Sequence, residues 1–310
     1  MYIATNEERG VRGTVIHIFP PSLRKYMYNI NIDGAEEIRL MQNKPIVIRY
    51  GRTDYYITSK GVLTDNCTAA VRLNKAQLGE VLEKLTKSSI YSVKDEIRNG
   101  YITIEGGHRV GIAGTAVTED GKVDFIKGIS ALNIRLATEI IGVANPVMAD
   151  ITDNGVSNTL IISPPGCGKT TLLRDIVRSL SDMGYFVSIA DERCEIAAMT
   201  DGESPFDIGS RTSVLENCPK AYAMKTLLRS MSPDVIVTDE LGDKTDADAV
   251  FEIINSGVSV VASVHGSSIE RVSARSGLKD IIPLFDVIIV LSKRNGAGTI
   301  EKVIRTGTYA

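Results

Sequence analysis

The sequence predicts an α/β protein: a doubly wound parallel sheet with helices on both faces, preceded by a smaller α+β domain. Three observations carry this. The hydrophobic pattern changes near the middle of the chain, from short alternating strands to a repeated strand, loop, helix order. In the second half the strand candidates are near-continuous Val/Ile runs, as expected for strands covered on both faces. The length of 310 residues suits two domains of ordinary size, each able to bury its own core.

In the first half, strands are expected at Glu37–Leu40, Pro45–Tyr50 and Asp54–Thr58, with Gly51 in a turn. Leu78, Val81, Leu82 and Leu85 recur at helical spacing, which predicts an amphipathic helix from about Asn74, its cap, to Lys87. The run YITIEGGHRVGIAGTAV reads as two strands joined through Gly106-Gly107. Its glycines could line a ligand loop, but the alternation around Gly111 and Gly114 favours a hairpin with a bulge.

In the second half, strands are expected at Thr159–Ile162, Phe186–Ala190, Val235–Thr238, Val258–Val264 and Val287–Leu291. Helices are expected at Thr171–Leu180, Ala221–Met231 and Asp246–Asn255, the last ended by Ser256-Gly257. Asn145-Pro146 and the polar run at 152–158 place the junction, giving domains of 1–145 and 146–310. There is no internal repeat or low-complexity tract.

Composition excludes several classes. Hydrophobic residues are 43% and charged residues 24%, so the chain is neither disordered nor fibrous. The net charge of −3 offers no global attraction for nucleic acid, and 5% aromatics without Trp weakens base stacking. No apolar run reaches membrane-span length, and the acidic start MYIATNEERG is unlike a secretory signal. A cytoplasmic protein is therefore expected, reaching any membrane through partners. Cys67, Cys167, Cys194 and Cys218 lie far apart without ligand spacing, against zinc or disulfide frameworks.

The strongest signal is LIISPPGCGKTTLLRD, which sets Ser163, Pro164, Pro165, Gly166, Cys167, Gly168, Lys169, Thr170 and Thr171 between a buried strand and an amphipathic helix. Small residues let successive N–H groups turn around a polyphosphate, and the helix N-terminus adds partial positive charge. Lys169 can reach the β- and γ-phosphates of ATP and the Thr170 hydroxyl can ligate Mg²⁺. Ser163 stands where the usual G-x-x-x-x-G-K-[ST] pattern has its first glycine. Cys167 is read as a small residue and not a redox group.

Further on, the strand in PDVIVTDELGD ends in Asp239-Glu240. Asp239 is expected to hold Mg²⁺ through water, and Glu240 to orient and deprotonate an attacking water. The strand of YFVSIA ends in Asp191-Glu192-Arg193, and VSVVASV ends in His265. Strand carboxyl ends line the ligand crevice of such sheets. Asp191, as a further candidate ligand of the metal, or Glu192 could tune the metal and water network there, or they could form a solvated charge cluster. His265 could contact the γ-phosphate or be a satisfied loop residue.

The runs PPGCGKTTLLRD, ADERCEIA, CPKA and LLRSMSPDVIVTDELGD together resemble the stage III sporulation protein AA family of endospore-forming bacteria. The resemblance extends upstream through GYITIEGGHRVGIAGTAV and ISALNIRLATE, over roughly residues 35 to 305, and the first thirty-odd residues add little to it. That family is similar to the hexameric ATPases of type II and type IV secretion, with an N-terminal domain above a RecA-like motor. The resemblance implies an acidic box at Asp191, Glu192 and Glu195, and a histidine box at His265. It implies a Gly-Glu-x-Arg-Asp motif in which Glu240 and Asp243 match and Gly242 replaces the arginine. It also implies arginines sent from a neighbouring subunit's N-terminal domain, with Arg109 and Arg135 as candidates and Arg229 as an alternative within the same subunit.

The expectation is thus an ATP-hydrolysing motor using ATP and Mg²⁺, assembled as a homo-oligomer, a hexamer by resemblance. It would energise a secretion-like channel between mother cell and forespore by docking on membrane-embedded proteins of the same stage III set. The mother-cell cytoplasm would be its location. Two rivals are a nucleotide-gated ring with little hydrolysis, motivated by Ser163 and the missing arginine, and a nucleic-acid translocase, which the charge and aromatic content disfavour.

Overall fold

The computed structural model describes residues 15–32, 34–86, 101–104, 106–119, 122–137, 139–199, 202–274 and 277–306. The chain divides into two compact units, Met1–Thr138 with Met199–Pro205, and Glu139–Ala198 with Phe206–Ala310.

The first unit contains helix α1 (Pro21–Met27), strands β1 (Glu37–Met41), β2 (Val47–Tyr50), β3 (Thr53–Ile57) and β4 (Leu63–Thr64), helix α2 (Lys75–Leu85), and strands β5 (Tyr101–Ile104), β6 (His108–Glu119) and β7 (Lys122–Arg135). The strands form one antiparallel sheet in the order β4-β3-β2-β1-β7-β6-β5. Helix α2 is started by a reciprocal cap: Asn74 accepts from the Gln77 N–H at 2.9 Å, and Gln77 accepts from the Asn74 N–H at 3.0 Å. Its buried Leu78, Val81 and Leu85 join Ile38, Leu40, Ile48, Val110 and Ile134 in the core. Lys87, the expected end of this helix, lies outside the described residues.

The hairpin through Gly106-Gly107 is present as β5–β6, paired without a register shift, and the bulge lies in the neighbouring β6–β7 pairing. The β6–β7 register shifts between Ala113 and Thr115, and a Cβ on the intervening Gly114 would stand 2.8 Å from the Lys127 carbonyl. Close backbone approach, not a ligand, accounts for that glycine. The residues before β1 contribute more than the sequence suggested: Val15, Phe19, Leu23 and Met27 are fully or almost fully buried in this core.

The second unit runs through α3 (Asn145–Ile151), β8 (Thr159–Ser163), α4 (Lys169–Asp182), β9 (Val187–Asp191), β10 (Thr212–Glu216), α5 (Lys220–Ser230), β11 (Val235–Thr238), α6 (Lys244–Asn255), β12 (Ser259–His265), α7 (Ile269–Ser273), β13 (Val287–Ser292) and β14 (Thr299–Arg305). The sheet order is β10-β9-β11-β12-β8-β13-β14, parallel throughout except for β14. The five expected strands are all here. β8, β9 and β11 are buried at every position, which is why most of their residues are apolar. The two further strands are the sheet's edges. β10 is half-buried along its length, and β14 (TIEKVIR) mixes Ile and Val with Thr, Glu, Lys and Arg, so neither shows a continuous apolar run.

His108, at the start of β6, is fully buried, and its Nδ1 accepts from the Ala137 N–H at 2.9 Å. Burial pushes the imidazole down to about 4. The unfolded chain, with a histidine near 6.5, therefore takes up a proton that the folded chain refuses. The stabilisation from neutral His108 is fully present above pH 6.5 and is lost as pH falls toward 4, by roughly 3 kcal/mol. Denaturant unfolding at stepped pH should show His108→Gln destabilised most at pH 7, with its deficit against the wild type shrinking toward pH 4. A pH-independent deficit would contradict the assignment.

Candidate functional site

The phosphate loop begins where β8 ends and closes where α4 starts. Ser163 is the last residue of β8, completely buried and not in a left-handed conformation, so its position makes no demand for glycine. Its hydroxyl donates to the Pro164 carbonyl at 2.8 Å. Pro165 is exposed, and Cys167 is buried with its thiol 3.9 Å from the Pro165 carbonyl, a small packed group. Gly166 and Gly168 have φ of +66° and +83°, conformations that a side chain would strain. Gly168 is the N-cap of α4 and brings no side-chain cap, so no capping side chain occupies the first N–H groups of this helix. Lys169, Thr170 and Thr171 form its first turn.

Strand order brings the remaining groups to this loop. β12 lies between β8 and β11, with His265 opposite Ser163 and Thr238 opposite Ala262. The chain leaving β11 turns sharply: Glu240 has φ +42°, an unusual conformation for a residue with a long side chain. Ser263 holds that turn, accepting from the Glu240 N–H through its hydroxyl at 3.0 Å and from the Leu241 N–H through its carbonyl at 2.8 Å. Strained backbone retained beside a candidate site points to a functional requirement for the side chain it aims.

That side chain sits among basic groups. Glu240 Oε1 is 3.2 Å from Lys169 Nζ and 2.7 Å from His265 Nε2, and Oε2 pairs with Arg193. Burial alone would raise the Glu240 carboxyl, but Lys169, Arg193 and His265 outweigh it and hold it below the usual carboxylate value. Beneath it, the buried Lys220 ammonium donates to the Asp239 carbonyl at 2.9 Å and the Glu240 carbonyl at 2.6 Å, and lies 3.4 Å from Glu192. Glu192 thus reaches the site through Lys220.

Asp239 is different. It is fully buried, and neither of its carboxylate oxygens has a hydrogen-bond partner among the described residues. Two orphaned anionic oxygens at the end of a central strand, beside a phosphate loop, are a poor arrangement for the protein alone and a good one for a hydrated cation. A buried carboxylate with both oxygens unbonded suits Mg²⁺, which takes one or two protein oxygens, and the Thr170 hydroxyl in the first turn of α4 is the other candidate ligand.

Two expectations require correction. Asp191 was expected to ligate the metal, but its two oxygens accept from the N–H groups of Glu195 (2.9 Å), Ile196 (3.0 Å) and Ala197 (2.9 Å). It shapes the loop that carries Arg193. Burial pushes its carboxyl up to about 6 despite those bonds, with the charge of Asp239 adding to the rise. Arg229 was a candidate for the nucleotide site, but it is next to last in α5, whose first residue Lys220 is the one at the site. Nine residue steps, about 14 Å of helix axis, separate them. Arg229 is largely exposed and pairs with Glu252 at 3.3 Å. Asp243 caps α6 by accepting from the Thr245 and Asp246 N–H groups, a structural duty.

Arg109 and Arg135 lie in the first unit, in one cross-strand row that runs Arg49, Glu37, Arg135, Arg109 over β2, β1, β7 and β6. Arg109 rests on the Tyr101 ring at 4.8 Å. Arg135 is two-thirds exposed, with its nearest carboxylate oxygen on Glu37 at 3.6 Å. Arg193, Lys220 and Ser263 are site residues to which the sequence assigned no role. A basic residue directly after the strand-end acids, and the lysine of CPKA, were the visible signals for the first two; nothing marked Ser263.

Comparison with known proteins agrees with this architecture. Residues 9–308 match the family described as sporulation stage III, protein AA. The stage III sporulation protein AA of Bacillus subtilis (strain 168) is 40% identical over 301 residues, covering 93% of this chain and 94% of that protein. Among solved structures, the pilus retraction motor PilT with bound ADP superposes with a TM-score of 0.58 at 15% identity, covering 89% of this chain and 80% of that one. The Legionella pneumophila ATPase DotB gives a TM-score of 0.54 at 19% identity, covering 83% and 72%. At such identities these two establish likeness of fold. The match over nearly the whole length and the 40% identity settle the lineage: this chain belongs to the stage III sporulation protein AA family.

Proposed function

We propose that this chain is a Mg²⁺-dependent ATPase of the RecA-like kind, with the N-terminal unit as a separate α+β domain. The observation that carries the reading is the contact of Glu240 with Lys169 at a helix start that follows a glycine loop, with the orphaned Asp239 carboxylate one residue before Glu240. The fold shared with the pilus retraction motor PilT and the ATPase DotB supports it.

In this reading ATP enters a site whose lysine is already engaged. The phosphates draw Lys169 away from Glu240, and that removes one of the charges holding the carboxylate at low basicity. Glu240 then accepts the proton of the attacking water while His265 and Arg193 keep its side chain aimed. Mg²⁺ bound by Thr170 and Asp239 would neutralise charge on the phosphate oxygens. Arg135 and Arg109, on the N-terminal unit, supply charge to the γ-phosphate of an adjacent copy in a homo-oligomeric ring, hexameric like the secretion ATPases the family resembles. The ring works in the mother-cell cytoplasm and docks on membrane-embedded proteins of the same stage III set; among the described residues no helix is long and apolar enough to cross a membrane.

One observation favours the second reading, a nucleotide-gated ring with little turnover: Glu240 is engaged by three basic groups at once and is a weak base until some are withdrawn. Steady-state phosphate release decides between the two.

Lys169→Ala should lose ATP binding in calorimetry. Glu240→Gln should bind ATP like the wild type yet release phosphate about 10²–10⁴-fold more slowly; wild-type-like turnover by this variant would remove Glu240 as the base. Arg135→Ala should lower turnover of the assembled ring without weakening ADP binding, and its mixture with Lys169→Ala subunits should regain activity only if the arginine acts across subunits. Asp239→Asn should melt at or above the wild-type temperature without nucleotide, because it removes an uncompensated buried charge, and should lose the further rise in melting temperature that MgCl₂ adds to ATP.

A further inference from the structure

The hairpin joining β13 to β14 lies directly against the phosphate loop. The Gly298 N–H donates to the Cys167 carbonyl at 2.8 Å, and a Cβ on Gly168 would stand 3.1 Å from the Gly298 nitrogen. At the loop's shoulder, a Cβ on Gly166 would stand 2.8 Å from the ammonium of Lys293 and 3.4 Å from its Cε. The two glycines therefore leave room for this hairpin as well as permitting a left-handed turn.

The hairpin is held in shape by its own contacts. Ser292 donates to Glu301 and accepts from the Arg294 N–H at 3.0 Å, Gly296 N–H donates to the Lys293 carbonyl at 3.2 Å, and Asn295 N–H donates to the Thr299 hydroxyl at 3.3 Å. Arg294 is neutralised by Glu301 at 3.3 Å. For Lys293, no carboxylate lies within ion-pair distance among the described residues. Its side chain is exposed and its ammonium lies over Gly166, in the loop that leads into α4, where a further positive charge favours an anion.

We propose that Lys293 is a second phosphate-binding ammonium, supplied within the same subunit by the β13–β14 hairpin, which forms one wall of the polyphosphate site. This rests on the nucleotide reading above and adds to it a ligand group on an element not otherwise assigned a role. Lys169 approaches the phosphates from the helix and Lys293 from across the loop. Two ammonium groups on opposite sides of one phosphate chain neutralise more of its charge than either alone.

The test is calorimetry of ATP and of inorganic tripolyphosphate, each with Mg²⁺, on the full chain and on Lys293→Ala, Lys293→Arg and Lys169→Ala. Separately, acetylation of Lys293 in the wild type is followed by mass spectrometry with and without tripolyphosphate. Lys293→Ala should bind both ligands at least tenfold more weakly at an unchanged melting temperature, Lys293→Arg should recover most of the loss, and tripolyphosphate should protect Lys293 from acetylation. Wild-type affinity in Lys293→Ala, or unprotected Lys293 at saturating tripolyphosphate, would overturn the proposal while leaving the nucleotide reading intact if Lys169→Ala has lost binding. Unaltered binding in Lys169→Ala would instead overturn the nucleotide reading itself.

Discussion

The second unit is organised around the contact between the ammonium of Lys169 and the carboxylate of Glu240. The phosphate loop places one partner at a helix start, and a left-handed turn after β11 places the other. Everything near them is arranged to keep that meeting in register. Ser263 fixes the turn, Lys220 binds the two carbonyls beneath it, and Asp191 folds the segment that brings Arg193 across. The strain of the Glu240 backbone is offset by these bonds, and the turn aims the carboxylate at Lys169.

Charge explains the rest of the arrangement. Loop N–H groups, the helix N-terminus and Lys169 present positive potential at the start of α4, and Glu240 is the anion that answers Lys169 in this structure. Asp239 is the opposite case, a buried anion without a partner among the described residues. An anion with a divalent cation attached would correct both imbalances together, and a polyphosphate with Mg²⁺ has that composition.

Much of this was legible in the amino-acid order. Buried central strands such as β8 and β11 advertise themselves because each face demands apolar residues, and the loop between β8 and α4 needs glycines where φ is positive. Strand ends then point to Asp239, Glu240 and His265. The edge strands β10 and β14 were not legible, since half-exposed strands carry no continuous apolar run. Nor was Asp191 as a loop organiser, because a carboxylate looks the same whether it meets metal or backbone N–H groups. Arg229 was misjudged because sequence proximity to β11 says nothing about which end of a helix faces the site. Lys293 is invisible for a different reason: its partner glycine lies more than a hundred residues earlier, and only strand order brings them together.

The most direct test of the account is a structure of the full chain with ADP, Mg²⁺ and a γ-phosphate mimic such as aluminium fluoride. The account predicts that Lys169 has exchanged Glu240 for the phosphate oxygens and that Asp239 faces the hydrated cation, with Glu240 turned to a water in line with the mimic. A nucleotide bound with the Lys169–Glu240 pair still closed, or with Asp239 remote from the cation, would contradict it.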